Sequence, residues 1–478
     1  MLFNSRLFVL VFLPATLAGF YALSRFGRRA ALGWLLLASL FFYAWWKPAM
    51  LFLLLASIGV NFGLGRVVAR SGWWLGFGVG LNLGLLGFFK YAGLLASSLG
   101  VAPPFGGIYL PLGISFFTFQ QIMYLVDVRA GDIPPAPFLE YACFIGFFPH
   151  LIAGPIVRPS HILPQFSGLR PFAGWQARLA GGAEIFLLGL AKKLVLADGL
   201  ARFAGPGFAA AARLEPVSLI EAWVALLAYA LQIYFDFSGY SDMAIGLARM
   251  FGVNFPINFN SPYKAISVSD FWRRWNITLS AFLRDYLYIP LGGNRRGEAR
   301  RVFNLMATML LGGLWHGAAW RFLLWGGLHG VYVVIHGWSE YLGVRLPRLM
   351  AWAMTLFCVL MAWVPFRAAG FMPAVEFYRG LFGFNGIAIP QIFCHFLPFL
   401  LVVGHSVPVL PYLGDARTMS LPQGMLLLAV GWYIALGLPQ LHEMSARRRG
   451  IALVASFALC VQALLFAPAA IPFLYFQF

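Results

Sequence analysis

The feature that most constrains this chain is the recurrence of apolar segments long enough to enter or cross a lipid bilayer. They lie at residues 7–23, 31–46, 51–64, 73–89, 109–126, 138–152, 183–196, 217–235, 302–314, 322–335, 350–364, 393–403, 425–436 and 451–466. A spanning helix needs about 20 apolar residues, and in lipid only helices and closed barrels satisfy every backbone hydrogen bond. The pattern predicts an all-α, polytopic integral membrane protein with about a dozen transmembrane and re-entrant helices.

Charge and composition agree with this class and exclude others. Hydrophobic residues make up 61% of the chain and charged residues 10%, and the formal net charge is +18. In a membrane protein such an excess of Lys and Arg lies in cytoplasmic loops beside anionic lipid, so nucleic acid binding is not predicted. No long internal repeat, Ser-rich linker or low-complexity tail interrupts the sequence. We therefore expect one membrane-embedded domain over residues 1–478.

The basic residues also predict an orientation. The first apolar segment is followed by basic residues instead of a small-residue cleavage site, so it is interpreted as a retained helix and not a signal peptide. The first segment is followed by Arg25, Arg28 and Arg29, and the third by Arg66 and Arg70. The loop between the second and third segments has only Lys47. The positive-inside rule predicts that the N-terminus lies outside.

Cysteine usage indicates neither a metal site nor a disulfide framework. The four cysteines lie singly in apolar runs without CxxC spacing: Cys143, Cys358, Cys394 and Cys460. We expect buried, unpaired thiols and no bound metal.

Three stretches, residues 111–121, 147–159 and 254–293, are too short or too broken by Gly and Pro to cross a bilayer directly. Irregular backbone at membrane depth survives only where it is buried in protein or lines a cavity. The breaks predict a central cavity or re-entrant region.

The sequence from Ser267 to Arg301 predicts one amphipathic helix followed by a basic loop. SVSD resembles a capping box, and two sets of residues then recur at helical spacing on opposite faces: Trp272, Trp275, Leu279 and Phe282 on one, and Arg273, Asn276, Ser280 and Arg284 on the other. Pro290 ends the pattern, and the loop after it carries Arg295, Arg296, Arg300 and Arg301. An anchor for lipid headgroups and a docking surface for the phosphates of coenzyme A both fit.

His316 is the candidate for acid–base chemistry. It is the one ionisable group between Val302 and Trp320, and an imidazole there can take a proton from a hydroxyl. The alternative is a histidine that satisfies an interhelical hydrogen bond. Asn276 could orient a reactant or donate to a developing oxyanion. On an unbroken helix His329 would lie roughly 220° around the axis from His316. It is therefore interpreted as a packing or hydrogen-bonding histidine that shares its face with His336, unless the glycines between break the helix.

Longer motifs carry a resemblance to a known family. FWRRWNITLSAFLRDYLYIPLGGNRR and LLGGLWHGAAWRFLLWGGLHG resemble the membrane-bound O-acyltransferase family, in the bacterial branch of alginate O-acetylase and the D-alanyl transfer protein of teichoic acid synthesis. Four further segments resemble the same family: the opening MLFNS, PLGISFFTFQQIMYLVDV, FFPHLIAGPIVRP and QIYFDFSGYSDMAIGLARMFG. The resemblance covers nearly the whole chain.

The resemblance implies a ring of tilted helices around a central tunnel, in which His316 matches the family's histidine and acts as base. Asn276 matches the upstream polar partner, which is usually histidine in similar bacterial members, so an orienting role is implied for Asn276 and a general-base role is excluded. The implied donor-binding residues are Arg273, Arg274, Arg284, Arg295 and Arg296, and the implied tunnel-lining residues are Trp275, Trp315, Asp236 and His150.

The implied reaction is transfer of an acetyl group from a cytoplasmic thioester, acetyl-CoA, across the bacterial inner membrane, without a bound cofactor. A periplasmic serine-hydrolase-like partner would then acetylate a secreted polysaccharide such as alginate. Two alternatives stay open: a lipid or protein acceptor, and a transporter or flippase, which would predict symmetry-related halves that the sequence does not show.

For the polar residues of YFDFSGYSD, two roles stay open. They could line the cavity or satisfy broken helix ends, and the second is favoured; the residues are Asp236, Ser238, Tyr240 and Asp242.

Overall fold

The structure is a computed structural model that describes residues 1–101, 109–391, 404–407, 410–413, 421–440, 443–466 and 471–474. The apolar segment predicted at 393–403 and Cys394 lie outside the described residues. Helices dominate the described part of the chain, which confirms the all-α prediction. Its only strands are β1 (Ala388–Pro390) and β2 (His405–Val407), which pair in parallel with Ala388 opposite His405.

Twenty α-helices follow one another along the described chain. The first ten are α1 (Leu13–Leu23), α2 (Arg28–Ala44), α3 (Pro48–Val67), α4 (Gly72–Leu86), α5 (Ala92–Ser98), α6 (Ile114–Ala130), α7 (Phe138–Gly146), α8 (Phe148–Leu151), α9 (Pro159–Ser167) and α10 (Trp175–Ala191). The others are α11 (Asp198–Ala212), α12 (Leu219–Met250), α13 (Val268–Arg274), α14 (Ile277–Leu283), α15 (Glu298–His316), α16 (Trp320–Tyr341), α17 (Arg348–Arg367), α18 (Phe371–Leu381), α19 (Leu421–Gly437) and α20 (Ala446–Phe466).

Five helical stretches of the described residues are long and apolar enough to cross a membrane. They are Phe8–Phe26, Pro48–Arg70, Gly72–Ser98, Leu219–Met250 and Arg348–Arg367. Shorter apolar helices accompany them, among them α19 at Leu421–Gly437. The chain is therefore a polytopic membrane protein.

Two faces of the molecule can be distinguished from the contacts of the helix ends. The basic residues after α1 and α3 define the arginine-rich face. Arg28 on this face pairs with Glu140 at 3.3 Å, and Tyr21 OH donates to Met250 O at 2.7 Å. On the opposite face, Lys47 lies 3.4 Å from the centre of the Tyr109 ring.

The contacts of the following helices extend the arginine-rich face. Arg129, at the end of α6, reaches Ala69 O at 3.4 Å, and Tyr286 OH donates to Asp127 at 2.6 Å. Trp338 Nε1 donates to Glu298 at 2.9 Å, so α15 begins and α16 ends on one side. Together these contacts place the loop after α14, the start of α15 and the end of α16 near this face.

Helix α12 runs through the centre of the molecule without a break. It begins with a capping box of Ser218 and Glu221 and continues for 32 residues. The polar residues of YFDFSGYSD therefore satisfy no broken end of α12 itself, although Asp236 and Ser241 accept hydrogen bonds from the irregular segments at Leu474 and Asn258. Asp242 pairs instead with Lys192 at 2.6 Å, and Asp236 pairs with Lys193 at 2.7 Å.

The second of these ion pairs ties a distant segment to α12. Lys193 also pairs with Asp198 at 2.7 Å and donates to Pro472 O at 3.3 Å. Leu474 N donates to the other oxygen of Asp236 at 2.9 Å. The segment 471–474 is thus held against the middle of α12.

A polar cluster fastens α3, α4 and α6 within the apolar surroundings. Ser57 Oγ and Asn61 Nδ2 both donate to Gln121 Oε1, at 2.8 and 2.9 Å, and Asn82 Nδ2 donates to Asn61 Oδ1 at 2.6 Å. Hydrogen bonds between helices hold membrane bundles together where the hydrophobic effect is absent.

The predicted continuous helix after Ser267 is wrong, because α13 ends before Asn276 and α14 begins after it. Asn276 has φ 44° and ψ 54°, in the left-handed region that Asn tolerates better than most residues. Asn258, on the extended stretch before α13, stabilises the break: its carbonyl accepts from Ile277 N at 3.0 Å, and its side chain accepts from Thr278 N at 3.1 Å. The start is as predicted, since Ser267 caps α13 by accepting from Asp270 N.

The irregular stretch predicted at 147–159 is observed and is buried. It contains the single turn α8 and then extended backbone. Gly113, at φ +72° before α6, approaches Leu151 O so closely that a Cβ would overlap it. A close approach that requires glycine thus joins this stretch to residues 111–113. The rest of the break predicted at 111–121 is not observed, because residues 114–121 belong to α6.

Within the described residues, Cys143, Cys358 and Cys460 are free thiols. Cys143 and Cys460 are buried as expected, whereas Cys358 is half-buried.

Candidate active site

His316 is the last residue of α15, and α16 starts four residues later at Trp320. Gly317 leaves the helix with extended backbone at φ −167°. The calculation that placed His329 on another face of one helix therefore does not apply, because the helix breaks between the two histidines.

Small residues allow α15 and α16 to pack closely beside this break. A Cβ on Gly313 would overlap Phe322 O, and a Cβ on Gly326 would overlap Met309 O. The two helices therefore approach backbone to backbone, which the glycines of LLGGLWHG and LWGGLHG permit. This contact fixes the end of α15 relative to α16.

The His316 imidazole lies in an aromatic enclosure and is only 5% exposed. Its ring centre is 4.9 Å from that of Trp315, 5.0 Å from that of Trp325 and 5.3 Å from that of Phe366. The enclosure limits the movement of the ring and leaves little of it exposed.

A cavity of about 150 Å³, here called the vestibule, reaches His316 from one side. Its lining includes Trp46, Lys90, Leu110, Ser115, Ile152 and His316. Trp46 and Leu110 lie near Lys47 and Tyr109 on the opposite face, so the vestibule connects His316 with that face.

A second space, the inner cavity, reaches His316 from the protein centre. It has a volume of about 20 Å³, which is room for about one water molecule. Its lining includes Asp236, Trp275, His316, Trp325, Trp363 and Leu474. His316 belongs to both linings and therefore separates the two spaces.

Asn276 is buried close to this region, at 2% exposure, although it lines neither cavity. Its neighbour Trp275 does line the inner cavity. In the part of the chain that the structure describes, Asn276 Nδ2 has no hydrogen-bond acceptor. A buried donor without an acceptor is costly, and it is available to a bound reactant.

The four residues implied to line a tunnel are placed differently. Trp275 and Asp236 line the inner cavity. Trp315 packs against Phe119, with ring centres 5.8 Å apart. His150 lies in the aromatic core, where its Nε2 donates to Phe144 O at 2.8 Å and its ring is 5.3 Å from Phe255. It lines neither the vestibule nor the inner cavity.

The five implied donor-binding arginines do not form one cluster of uncompensated charge. Arg274 pairs with Asp270 at 2.8 Å, and Arg284 pairs with Asp285 at 2.7 Å. Arg273, Arg295 and Arg296 are exposed, and no carboxylate of the described residues pairs with them. These three are the ones free to meet an anion.

A groove of about 630 Å³, here called the basic groove, opens beside the start of α17. It is lined by Lys264, Ile266, Arg348, Leu349, Trp352 and Leu436. Arg348 follows the end of α16 closely, so the groove lies at the arginine-rich face. Trp352 Nε1 donates to Tyr263 O at 2.9 Å, and the Tyr263 ring lies 6.3 Å from that of Trp275. The groove is thus linked through two aromatic residues to the inner cavity.

His329 is fully buried, and its ring stacks on Phe271 with centres 6.0 Å apart. Trp325 lies between the two histidines, 4.8 Å from His329. Among the described residues neither ring nitrogen of His329 has a hydrogen-bond partner. The packing interpretation therefore fits, whereas the interhelical hydrogen bond does not form.

Most residues that line these cavities were not predicted as site residues, among them Lys90, Ser115 and Leu474. Lys90 carried a signal, since it is a charge inside an apolar run, but the predicted span ended at residue 89 and placed it at the membrane edge. Leu474 carried none, because it approaches the site only through tertiary structure.

Comparison with known proteins agrees with this architecture. The model of MBOAT, the membrane-bound O-acyltransferase family, matches residues 112–364, which is over half of the chain. The chain is similar to the peptidoglycan O-acetyltransferase of Helicobacter pylori, with 41% identity over 83% of this chain and 81% of the relative.

Two further relatives represent the two activities that the motifs resemble. The probable alginate O-acetylase of Pseudomonas aeruginosa is 42% identical over 80% of this chain and 75% of its own. The teichoic acid D-alanyltransferase of Streptococcus thermophilus is more distant, at 28% identity over 47% of this chain and 56% of its own. With the break at His316 and the membrane helices, these matches show that the chain belongs to the membrane-bound O-acyltransferase family and is an acyltransferase.

Proposed function

We propose that the protein transfers an acetyl group from acetyl-CoA to an acceptor on the other side of the bacterial inner membrane, for O-acetylation of an exported polysaccharide. The observation that carries this proposal is the position of His316 between two cavities. A base shared by both spaces can meet a donor from one side and an acceptor from the other.

In this reaction His316 takes the proton from the acceptor hydroxyl as its oxygen attacks the thioester carbonyl. The C–O bond forms, and the C–S bond breaks as the tetrahedral intermediate collapses. The thiolate takes the proton back from His316 and leaves as coenzyme A, which restores the neutral imidazole. Asn276 Nδ2 is a buried donor next in sequence to Trp275 of the inner cavity, and its role is to orient the thioester or stabilise its oxyanion.

We place the donor at the arginine-rich face, which the positive-inside rule assigns to the cytoplasm, with the N-terminus in the periplasm. The basic groove offers Lys264 and Arg348 for phosphate groups and the Trp352 ring for a base. The uncompensated Arg273, Arg295 and Arg296 add positive charge near this face.

The vestibule is then the acceptor side. The acceptor is a polysaccharide or the serine of a periplasmic hydrolase-like partner that passes the acetyl group to it. The peptidoglycan and alginate acetylases among the relatives support a polysaccharide as the final acceptor. A lipid or protein acceptor and a transport function are the competing outcomes.

The test is base-labile acetate in the secreted polysaccharide and in the peptidoglycan of the host. Cells carrying the wild type are compared with cells carrying His316→Ala at matched membrane levels. His336→Ala is the control, because His336 is a partly exposed histidine that pairs with Glu340 on α16. We expect His316→Ala to abolish acetate in one fraction and His336→Ala to retain it.

The two fractions identify the polysaccharide. Acetate that persists in His316→Ala cells refutes His316 as the base. Acetate absent from both fractions of wild-type cells refutes a polysaccharide acceptor and directs the search to lipids and proteins.

A further inference from the structure

Lys90 lies where a membrane protein rarely keeps a charge. It belongs to the candidate span Gly72–Ser98, within a π-helical turn at Gly87–Tyr91, here called the π turn. No carboxylate of the described residues forms an ion pair with it. An ionisable residue at membrane depth is costly, and single π turns often occur at functional sites.

The hydrogen bonds of Lys90 reach the end of α15 and the start of α6. Its Nζ donates to Trp315 O and, at 3.3 Å, to Ser115 Oγ. The adjacent Tyr91 OH donates to Leu314 O at 3.0 Å. Two neighbouring side chains of the π turn therefore hold two successive carbonyls immediately before His316.

These carbonyls need partners for a physical reason. The last C=O groups of a helix have no intrahelical donor, and a cation beside them is favoured by the helix dipole. The chain leaves α15 directly after His316, so helical hydrogen bonds do not fix this residue from its C-terminal side. The ammonium of Lys90 takes that place.

Lys90 and His316 also line the same vestibule. A displacement of the end of α15 would thus move the imidazole relative to the space in which the acceptor hydroxyl must lie. A shift of about 1 Å in a reacting group can cost on the order of 100-fold in rate.

We propose that Lys90 is a positioning residue of the acyl transfer, whose ammonium holds the Trp315 carbonyl and thereby sets His316 against the vestibule. The inference rests on the proposed role of His316. It gives the π turn a function that neither the motifs nor the sequence spacing indicates.

The first experiment measures ester acetate in cells with Lys90→Met, Lys90→Arg and His316→Ala at matched membrane levels. Met keeps the length of the side chain without the charge. Lys47→Met is the matched control, because Lys47 lies on the opposite face against Tyr109 and outside the vestibule lining. We expect a loss of about 10- to 100-fold for Lys90→Met, partial recovery for Lys90→Arg and no loss for Lys47→Met.

A second experiment separates positioning from a merely structural role. In membranes supplied with labelled acetyl-CoA, Lys90→Met should lower kcat and leave KM for acetyl-CoA within about two-fold, because Lys90 faces the vestibule and not the donor side. A rise in KM for acetyl-CoA as large as the expected loss of kcat, with kcat itself unchanged, would overturn the proposal.

A third variant covers the case in which Lys90→Met fails to fold. Lys90→Cys membranes are treated with 2-bromoethylamine, which alkylates the thiolate with loss of bromide and restores an ammonium at the length of lysine. Bromoethane gives the neutral counterpart, and treated wild-type membranes control for the native cysteines. We expect transfer to rise with the amine alone, and no rise would overturn the proposal.

The outcomes distinguish this inference from the proposed function. Wild-type acetate in Lys90→Met cells, with none in His316→Ala cells, refutes the role of Lys90 alone. Wild-type acetate in His316→Ala cells refutes the proposed function and, with it, the positioning role.

Discussion

Lys192 and Lys193 are adjacent lysines whose removal should have very different effects on stability. The Lys193 side chain is 1% exposed and pairs with Asp198 and Asp236, whose side chains are 11% and 4% exposed. Lys193→Met leaves two buried carboxylates without their cation. Breaking a buried pair in this way costs about 3–5 kcal/mol.

The Lys192 side chain is 22% exposed, and that of its partner Asp242 is 24% exposed. Partly exposed pairs contribute about 0–1 kcal/mol, so Lys192→Met should be nearly neutral. For Lys193→Met, the loss of about 3–5 kcal/mol can be converted to a change in Tm. With an unfolding entropy of about 2.1 cal/mol/K per residue, it lowers Tm by at least about 3–5 °C for a chain of this length.

The assay is the fraction of monodisperse protein left after heating purified wild type and each variant in the same detergent. Lys193→Met should melt several degrees below Lys192→Met. Equal melting temperatures for the two variants would refute the argument that burial decides the contribution of these pairs.

Two further predictions concern the position of the catalytic groups. Asn276→Gly tolerates the left-handed backbone and removes the side chain with its amide, so we expect normal membrane levels and an acetyl transfer rate about 100-fold lower. Full activity would exclude the amide from the reaction. Gly326→Ala places a Cβ against Met309 O between α15 and α16, so it should lower the free energy of unfolding by about 1–3 kcal/mol and reduce ester acetate. In Gly327→Ala the new Cβ meets only Leu310 Cδ2 at 3.5 Å, so this variant should resemble wild type. Identical Tm and acetate for the two glycine variants would contradict the close-packing argument.

The fold class could be predicted from the sequence because hydropathy is a local property that survives folding in a membrane. The break at Asn276 could not be predicted, because the periodicity of Trp272, Trp275 and Leu279 fits one continuous helix. The interruption depends on hydrogen bonds to Asn258, which lies outside that periodic segment. Only the three-dimensional fold brings these residues together.

The candidate site shows the same division. His316 could be identified as an isolated imidazole in an apolar run, but its place between two cavities depends on α12, α16 and the segment 471–474. Lys90 was within reach of sequence reasoning, since a charge in GLLGFFKYAGLL is unusual. Its contact with Trp315 O joins residues 225 positions apart, which no local pattern can indicate.

The segment 471–474 has a consequence for the order in which the protein acquires its native state. It contacts Asn4 through Ile471 O at 3.2 Å, Tyr240 through the Phe473 ring at 4.7 Å and Asp236 through Leu474 N. Contacts of such high sequence separation form late. Because these residues are synthesised after all the others described, the nascent chain lacks part of the wall beside His316 and one hydrogen bond to Asp236 until translation has passed them. Membrane insertion of the preceding helices is therefore expected to yield an intermediate in which the wall of the inner cavity is still incomplete.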